Sequence, residues 1–342
     1  MVEMEICGYG CYVPRFRIKQ EEISKVWGSF GGNIKEKAVM GYDEDCCTMA
    51  VEAAKNAIAN AGLKREEIAA ITVGCSFPPY ESKSMASELV MAIGTPMDIR
   101  LLDCKESEKA GTTALLTCMD IISNKGGKGL AVGTDSPSAV ASDSFENTLG
   151  ASAAALIIGK EQGIAQIEGT ASASLEFIAD RFRPEGSSKM EDLGILQYHQ
   201  ADYTNSIRQA VGHLLNELGL KAADFQYLFI QGHDVSEPGR VLKSIGFEKE
   251  SLLTNTLNLI GDSAAASVLT GLVGILDIAN PGERILCASY GPGAGCDAFS
   301  VLVKEKQNIL ENVPILTTYL ENKQYIDYNQ YLKFKELIEL EK

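Results

Sequence analysis

The sequence predicts an α/β fold made of two copies of one unit, on three observations. Helical and strand-like stretches alternate along the 342 residues. The strand-like runs are almost continuously apolar, as strands covered by helices on both faces are. One block also occurs twice: a helix, the tripeptide Gly-Leu-Lys, an acidic connector and an apolar strand. The first copy is "DEDCCTMAVEAAKNAIANAGLKREEIAAITVGCS" (43–76) and the second is "NSIRQAVGHLLNELGLKAADFQYLFIQG" (205–232), so Gly62 and Gly219 stand 157 residues apart. Such self-similarity is the mark of a duplicated unit.

The elements follow in order. Helical periodicity, a carboxylate-rich first turn and a terminal Gly62 predict a helix over 43–63, and "IAAITVGCS" (68–76) then reads as a buried strand. "MDIRLLD" (97–103) reads as a strand leading to a helix at 109–123; "GLAVGT" (129–134) and "AAALIIG" (153–159) are further strands. After the second helix and strand of the repeat come helices at 236–245 and 263–279, then strands "RILCASYG" (284–291) and "DAFSVLVK" (297–304). We divide the halves near Gly159, into 1–160 and 161–305. The polar, Tyr-rich remainder, 306–342, reads as a tail docked on the body or on a partner rather than a free linker.

The composition, 45% hydrophobic and 23% charged, is that of a globular chain. A formal net charge of -15 argues against non-specific nucleic-acid or anionic-membrane binding. The start, "MVEMEICGYG", lacks a basic segment followed by an apolar core, and no run reaches the length of a membrane span, so a cytoplasmic protein is expected. The nine cysteines have no CxxC pair and lie mostly in apolar stretches. They read as buried, reduced thiols, and neither a metal site nor a cofactor site is expected from them.

Five segments in order carry a resemblance: "ICGYGCYVPRFRIKQEEISKVWG", "DEDCCTMAVEAAKNA", "KAGTTAL", "NPGERILCASYGPGAGCDAFSV" and "YIDYNQYLKF". With the internal duplication, the chain resembles the thiolase superfamily, most closely archaeal-type hydroxymethylglutaryl-CoA synthases and more distantly ketoacyl synthase III. The resemblance implies duplicated thiolase-like halves in a five-layer α/β/α/β/α body. It also implies a homodimer, acyl-CoA or an acyl carrier as partner with a CoA thioester as substrate, and in the archaeal type a partner thiolase and a small OB-fold protein.

Matched through "KAGT", the family's nucleophilic cysteine falls on Glu108. Such a cysteine needs a helix N-terminus to lower its pKa. Cys104, four residues earlier, is the wrong distance away to replace it. The family histidine falls on Gln231 in "IQGHDVSEPG", which can donate a hydrogen bond but not shuttle a proton. His233, two residues on, reads more readily as a loop or surface residue. The usual asparagine falls on Asp262 of "GDSAAAS", also read as a helix N-cap, and the general-base glutamate falls on Ser76 of "GCSFPPY". The glycines of "YGPGAGC", Gly291, Gly293 and Gly295, suit either a backbone oxyanion loop or a tight connection between strands. Arg181 and Arg183 of "RFRPEG" are candidate CoA-phosphate partners, or solvated surface arginines.

Three functions stay open at this point. One is an acyl-CoA-handling enzyme with altered chemistry, Glu108 acting as general base, as an electrostatic mimic of an acylated cysteine promoting decarboxylation, or as a carboxylate nucleophile. Another is a non-catalytic structural subunit of a thiolase-containing complex. The third is a genuine hydroxymethylglutaryl-CoA synthase whose key positions lie elsewhere in the chain.

Overall fold

A computed structural model describes residues 4–28, 32–175, 181–192, 194, 196–248, 252–307 and 310–338. The chain opens with β1 (Met4–Tyr12), β2 (Phe16–Lys19), α1 (Gln20–Trp27) and β3 (Glu36–Val39). The first repeat follows as α2 (Cys46–Asn60), a 3-10 turn at Arg65–Glu67 and β4 (Ile68–Gly74). Next come α3 (Met85–Ile93), β5 (Arg100–Cys104), α4 (Ala110–Lys125), β6 (Lys128–Asp135) and β7 (Ser152–Gly159). The second half holds β8 (Ala165–Ala173), α5 (Leu196–Leu218), a 3-10 turn at Ala222–Asp224, β9 (Tyr227–Ile230), α6 (Glu237–Ile245) and α7 (Asn255–Ile260). A 3-10 turn at Ala264–Ala266 then leads into α8 (Ser267–Leu276), β10 (Arg284–Gly291) and β11 (Gly295–Val303).

The repeat read from the sequence is present in detail. Both copies run helix, 3-10 turn, strand, and Gly62 and Gly219 end the two helices at φ 63° and 65°, a conformation that favours glycine. Asp45 starts α2 by accepting from Thr48 N, while Thr48 Oγ1 accepts from Asp45 N, a reciprocal capping box.

Nine strands form one sheet in the order β5-β4-β6-β7-β1-β8-β11-β10-β9. Antiparallel pairing of Met4–Ile6 with Ala165–Ile167 is the seam between the halves. Outward from the seam the order β1-β7-β6-β4-β5 is matched by β8-β11-β10-β9, and an isolated parallel bridge from Leu228 to Leu252 marks the place of a fifth strand. The sense repeats too: β4 is parallel to β5 and β6, β9 is parallel to β10, and β6–β7 and β10–β11 are antiparallel.

Alternation along β7 shows how the layers arise. Ala153, Ala155 and Ile157 pack with α2 and α3, whereas Ala154, Leu156 and Ile158 face the cluster that holds Leu115 and Cys118 of α4 and Leu269 and Leu272 of α8. A third cluster joins α5 and α6 to the second half of the sheet. Helices α4 and α8 thus lie between the two half-sheets, giving five layers, α/β/α/β/α. The continuous apolar runs of the sequence are strands buried on both faces.

The tail folds back on the body through α9 (Leu316–Glu321), β12 (Gln324–Tyr325) and α10 (Tyr328–Phe334). β12 pairs parallel with β2 in a small sheet, and Ile326, Tyr328 and Tyr331 pack against Ile18, Ile23 and Val39. Residues 308–309 and 339–342 of the tail lie outside the described residues. Among the described residues no helix is long and apolar enough to cross a membrane.

Candidate active site

Glu108 lies between the end of β5 and the start of α4, only 4% exposed. Its neighbours on the chain are held from outside. Lys109 Nζ lies 3.0 Å from Asp297 Oδ2, which also accepts from Thr112 Oγ1 at 2.9 Å. The β10–β11 hairpin presses close: a Cβ on Gly291 would lie 2.6 Å from Ser107 Oγ and 3.0 Å from Lys109 N. Gly293 and Gly295 take positive φ values of 71° and 83°, so the Gly-rich stretch is a tight strand connection seated against the Glu108 segment.

Four charged or titratable side chains converge there. The Glu108 carboxylate is 3.9 Å from Arg181 Nη1 and 4.0 Å from His233 Nδ1. His233 Nδ1 is 2.8 Å from Asp262 Oδ2 and 2.5 Å from Arg181 Nη1. Asp262, fully buried, accepts on Oδ1 from Ala264 N and from Ser267 Oγ, each at 2.9 Å. Asp262 therefore bonds the first N–H of the one-turn 3-10 segment that precedes α8, whose N-cap is Ser263, and does not cap an α-helix as the sequence suggested.

Two sequence expectations are corrected here. His233 is 8% exposed instead of being a surface residue, because the segment after β9 turns inward and Glu237 Oε2 accepts from His233 N at 2.8 Å. Arg181 points into the site, its guanidinium 4.7 Å from the Phe145 ring centre, so it is not a solvated surface arginine. Arg183 stays exposed, stacks 4.9 Å from the Phe77 ring centre and donates to Ser76 O at 3.1 Å.

Gln231 and Ser76 are both engaged in hydrogen bonds, Gln231 with backbone and Ser289, and Ser76 with a carboxylate. Gln231 Nε2 donates to Glu108 O at 3.3 Å and Ala264 O at 3.2 Å, and Oε1 accepts from Ser289 Oγ at 2.8 Å. Ser76 Oγ donates to Asp135 Oδ2 at 2.5 Å. Asp135 also accepts from the backbone N–H groups of Ser76, Phe77, Ser136 and Ala265 at 2.8 to 3.2 Å. Burial pushes the Asp135 carboxyl up, against the lowering effect of these donors.

Sequence reasoning missed Asp135, Ser267, Ser289, His199 and Glu237. Asp135 ends β6, and the carboxyl ends of strands are where α/β proteins place their sites, so "GLAVGTD" held a usable signal. His199 and Glu237 had none: they meet only in space, Nε2 to Oε1 at 2.7 Å. Burial would raise Glu237, but the charges of His233 and His199 and their hydrogen bonds outweigh it and hold its carboxyl at about 2. Cys104 and Cys75 line a separate cavity of about 230 Å³ at the ends of β4 and β5. Burial, then Glu106 and Asp103, push the Cys104 thiol up to about 12, the opposite of what a nucleophile requires.

Among the described residues, three groups bring metal-binding atoms within 4.8 Å of one another: Cys46, Cys75 and Asp135; His199, His233 and Glu237; and Glu108, His233 and Asp262. In the last two the side chains already bond one another or face Arg181.

No protein-family model matches the chain. The hydroxymethylglutaryl-CoA synthase of Methanopyrus kandleri is 40% identical, over 96% of this chain and 96% of that protein. That of Methanocaldococcus jannaschii is 37% identical over 98% and 99%. Among solved structures, MvaS in complex with 3-hydroxy-3-methylglutaryl coenzyme A superposes with a TM-score of 0.86 at 19% identity, over 98% of this chain and 92% of that one. The 3-oxoacyl-[acyl-carrier-protein] synthase III of Aquifex aeolicus gives 0.79 at 18%, over 87% and 99%. These structures share the thiolase-like fold found here. With such identity to the curated relatives along nearly its whole length, the chain belongs to the hydroxymethylglutaryl-CoA synthase family.

Proposed function

We propose that this member of the family handles acyl thioesters by proton transfer at the carbon next to the thioester carbonyl, without a cysteine-bound acyl intermediate. The observation that carries the reading is the meeting of Glu108, His233 and Asp262 within 4.8 Å, all buried, with Arg181 against them. A carboxylate at position 108 supplies a base where the family resemblance expects a thiolate. Glu108 or His233 removes the α-proton to give an enolate, or returns one to the enolate left when a carboxyacyl thioester loses CO2. Backbone N–H groups of the hairpin containing Gly291, Gly293 and Gly295 are the candidates to face the developing oxyanion. The ligand is a CoA or acyl-carrier thioester, and no cofactor enters the reaction. A homodimer, a thiolase and a small OB-fold protein are the proposed partners, as the resemblance implies.

Incubation of the protein and its genomic neighbours with acetyl-CoA, acetoacetyl-CoA and malonyl-CoA in heavy water tests this. Deuterium should enter the α-carbon, and Glu108→Gln should lower the rate by about 100-fold or more, the usual scale of general acid–base catalysis. No change in any acyl-CoA, or full activity in Glu108→Ala, would overturn it.

The bonding of Gln231 and Ser76 favours a second reading, a non-catalytic subunit of a thiolase-containing complex. Both side chains at positions expected to carry chemistry are instead taken up by hydrogen bonds within the fold, Gln231 to the Glu108 and Ala264 carbonyls and Ser76 to the Asp135 carboxylate. Inactivity together with stable co-purification with a thiolase would select it. Consumption of acetoacetyl-CoA with acetyl-CoA in the presence of Glu108→Ala would instead point to a conventional synthase acting through another residue.

A further inference from the structure

Behind Asp262 runs a row of buried hydroxyls that the reaction proposed above does not use. Thr270 Oγ1 and Ser152 Oγ are 3.0 Å apart, Ser152 Oγ and Ser263 Oγ 2.6 Å, and Ser263 Oγ and Ser267 Oγ 3.4 Å. Ser267 Oγ ends the row on Asp262 Oδ1 at 2.9 Å, and its lone pair accepts from Ser263 N at 2.9 Å. All five side chains are at most 4% exposed, so water does not compete for these bonds. The row has a direction at its end: a serine that accepts from a backbone N–H spends its one hydrogen on the carboxylate.

On the other side of Asp262 stands His233. Its Nδ1 faces Asp262 Oδ2, and its Nε2 is buried with no hydrogen-bond partner among the described residues. We propose that Ser267, backed by Ser263 and Ser152, is a positioning residue that keeps Asp262 an acceptor, so that His233 carries its proton on Nδ1 and presents a bare Nε2 as the proton-transferring atom. The acid–base histidine of this site would then have moved two residues along the chain from Gln231, which ties Glu108 to Ala264 instead. The charged and titratable groups facing His233 are Asp262, Arg181, Glu108, Glu237 and His199, from five separate segments. Arg181 is the competitor: if it donated to Nδ1, the proton would sit on Nε2 or on Asp262. This inference deepens the proton-transfer reading and rests on it for the role of Nε2, but the tautomer is measurable without substrate.

Nitrogen-15 imidazole spectra of the full chain decide it, since only His199, His213 and His233 contribute. His213→Gln and His199→Gln assign the signals. At neutral pH the wild-type His233 should show a protonated Nδ1 and an unprotonated Nε2. Ser267→Ala should mix the two tautomers, while Ser267→Thr, which keeps the hydroxyl, should restore the single one. If Ser267→Ala does not fold, Ser263→Ala removes the next link and is read in the same way. A wild-type His233 protonated on Nε2, or an alanine variant with an unchanged spectrum, overturns the proposal. The expected spectrum in a protein that turns over no thioester would instead leave the tautomer standing and remove the proton-transfer reading.

Discussion

At the scale of single residues, neighbours two apart in one loop have opposite duties. Gln231 spends both ends of its amide on backbone and on Ser289, whereas His233 joins Glu108, Arg181 and Asp262. Glu237 holds both histidines in place and gives the site an acid sensitivity. Its carboxyl is at about 2 in the folded chain against an ordinary 4.5. A lowered pKa contributes stability that is full above 4.5 and is lost as pH falls through 4.5 toward 2. The difference amounts to roughly 3 kcal/mol. Melting curves from pH 6 to pH 2.5 should therefore show a steeper acid loss in the wild type than in Glu237→Gln. Equal slopes would mean that Glu237 is not held by the two histidines. Glu108 as a candidate was legible from "ESEKAGT", but the burial of His233 was not, because local spacing says nothing about where a loop turns.

At the scale of elements, the site depends on backbones that touch. A Cβ on Gly111 in the first turn of α4 would lie 1.9 Å from Ala265 O, and one on Gly74 would lie 2.2 Å from Ala110 O. β4, α4 and the turn before α8 are thus in contact without intervening side chains, which brings Glu108 close to Asp262. Gly111→Ala should cost about 3 kcal/mol or more, since neither backbone can yield cheaply. Denaturant unfolding measures this, and a loss under about 0.5 kcal/mol would show that the contact relaxes. Helices at 109–123 and 263–279 were legible from periodicity and capping residues, though the second begins with a 3-10 turn at Ala264–Ala266. Their contact was not, for "KAGTTAL" and "GDSAAAS" announce small residues without naming their partners.

At the scale of the whole molecule, the tail is part of the body. Lys37, 1% exposed, donates to Tyr331 OH at 2.8 Å, and burial lowers its ammonium pKa while Glu146 opposes the shift. Lys335 extends the same contact, donating to Pro137 O at 2.6 Å, two residues beyond Asp135. Tyr331→Phe leaves Lys37 short of one partner and should lower stability by about 1.5 to 3 kcal/mol, the range for a hydrogen bond to a charged group. An unchanged melting temperature would show that Glu146 alone suffices. The sequence by itself determined the duplicated unit, the apolar strands and the carboxylate at position 108, because these rest on periodicity, glycine stops and residue identity, all of which are local; for the tail it left docking on the body or on a partner open. Only the tertiary structure decided that Arg181 and His233 turn inward, that Gln231 holds backbone and Ser76 bonds Asp135, and that a row of hydroxyls ends on Asp262. Many of those contacts join residues far apart in the chain, such as Ser152 to Ser263, and nothing in a one-dimensional pattern specifies which small polar residues will meet.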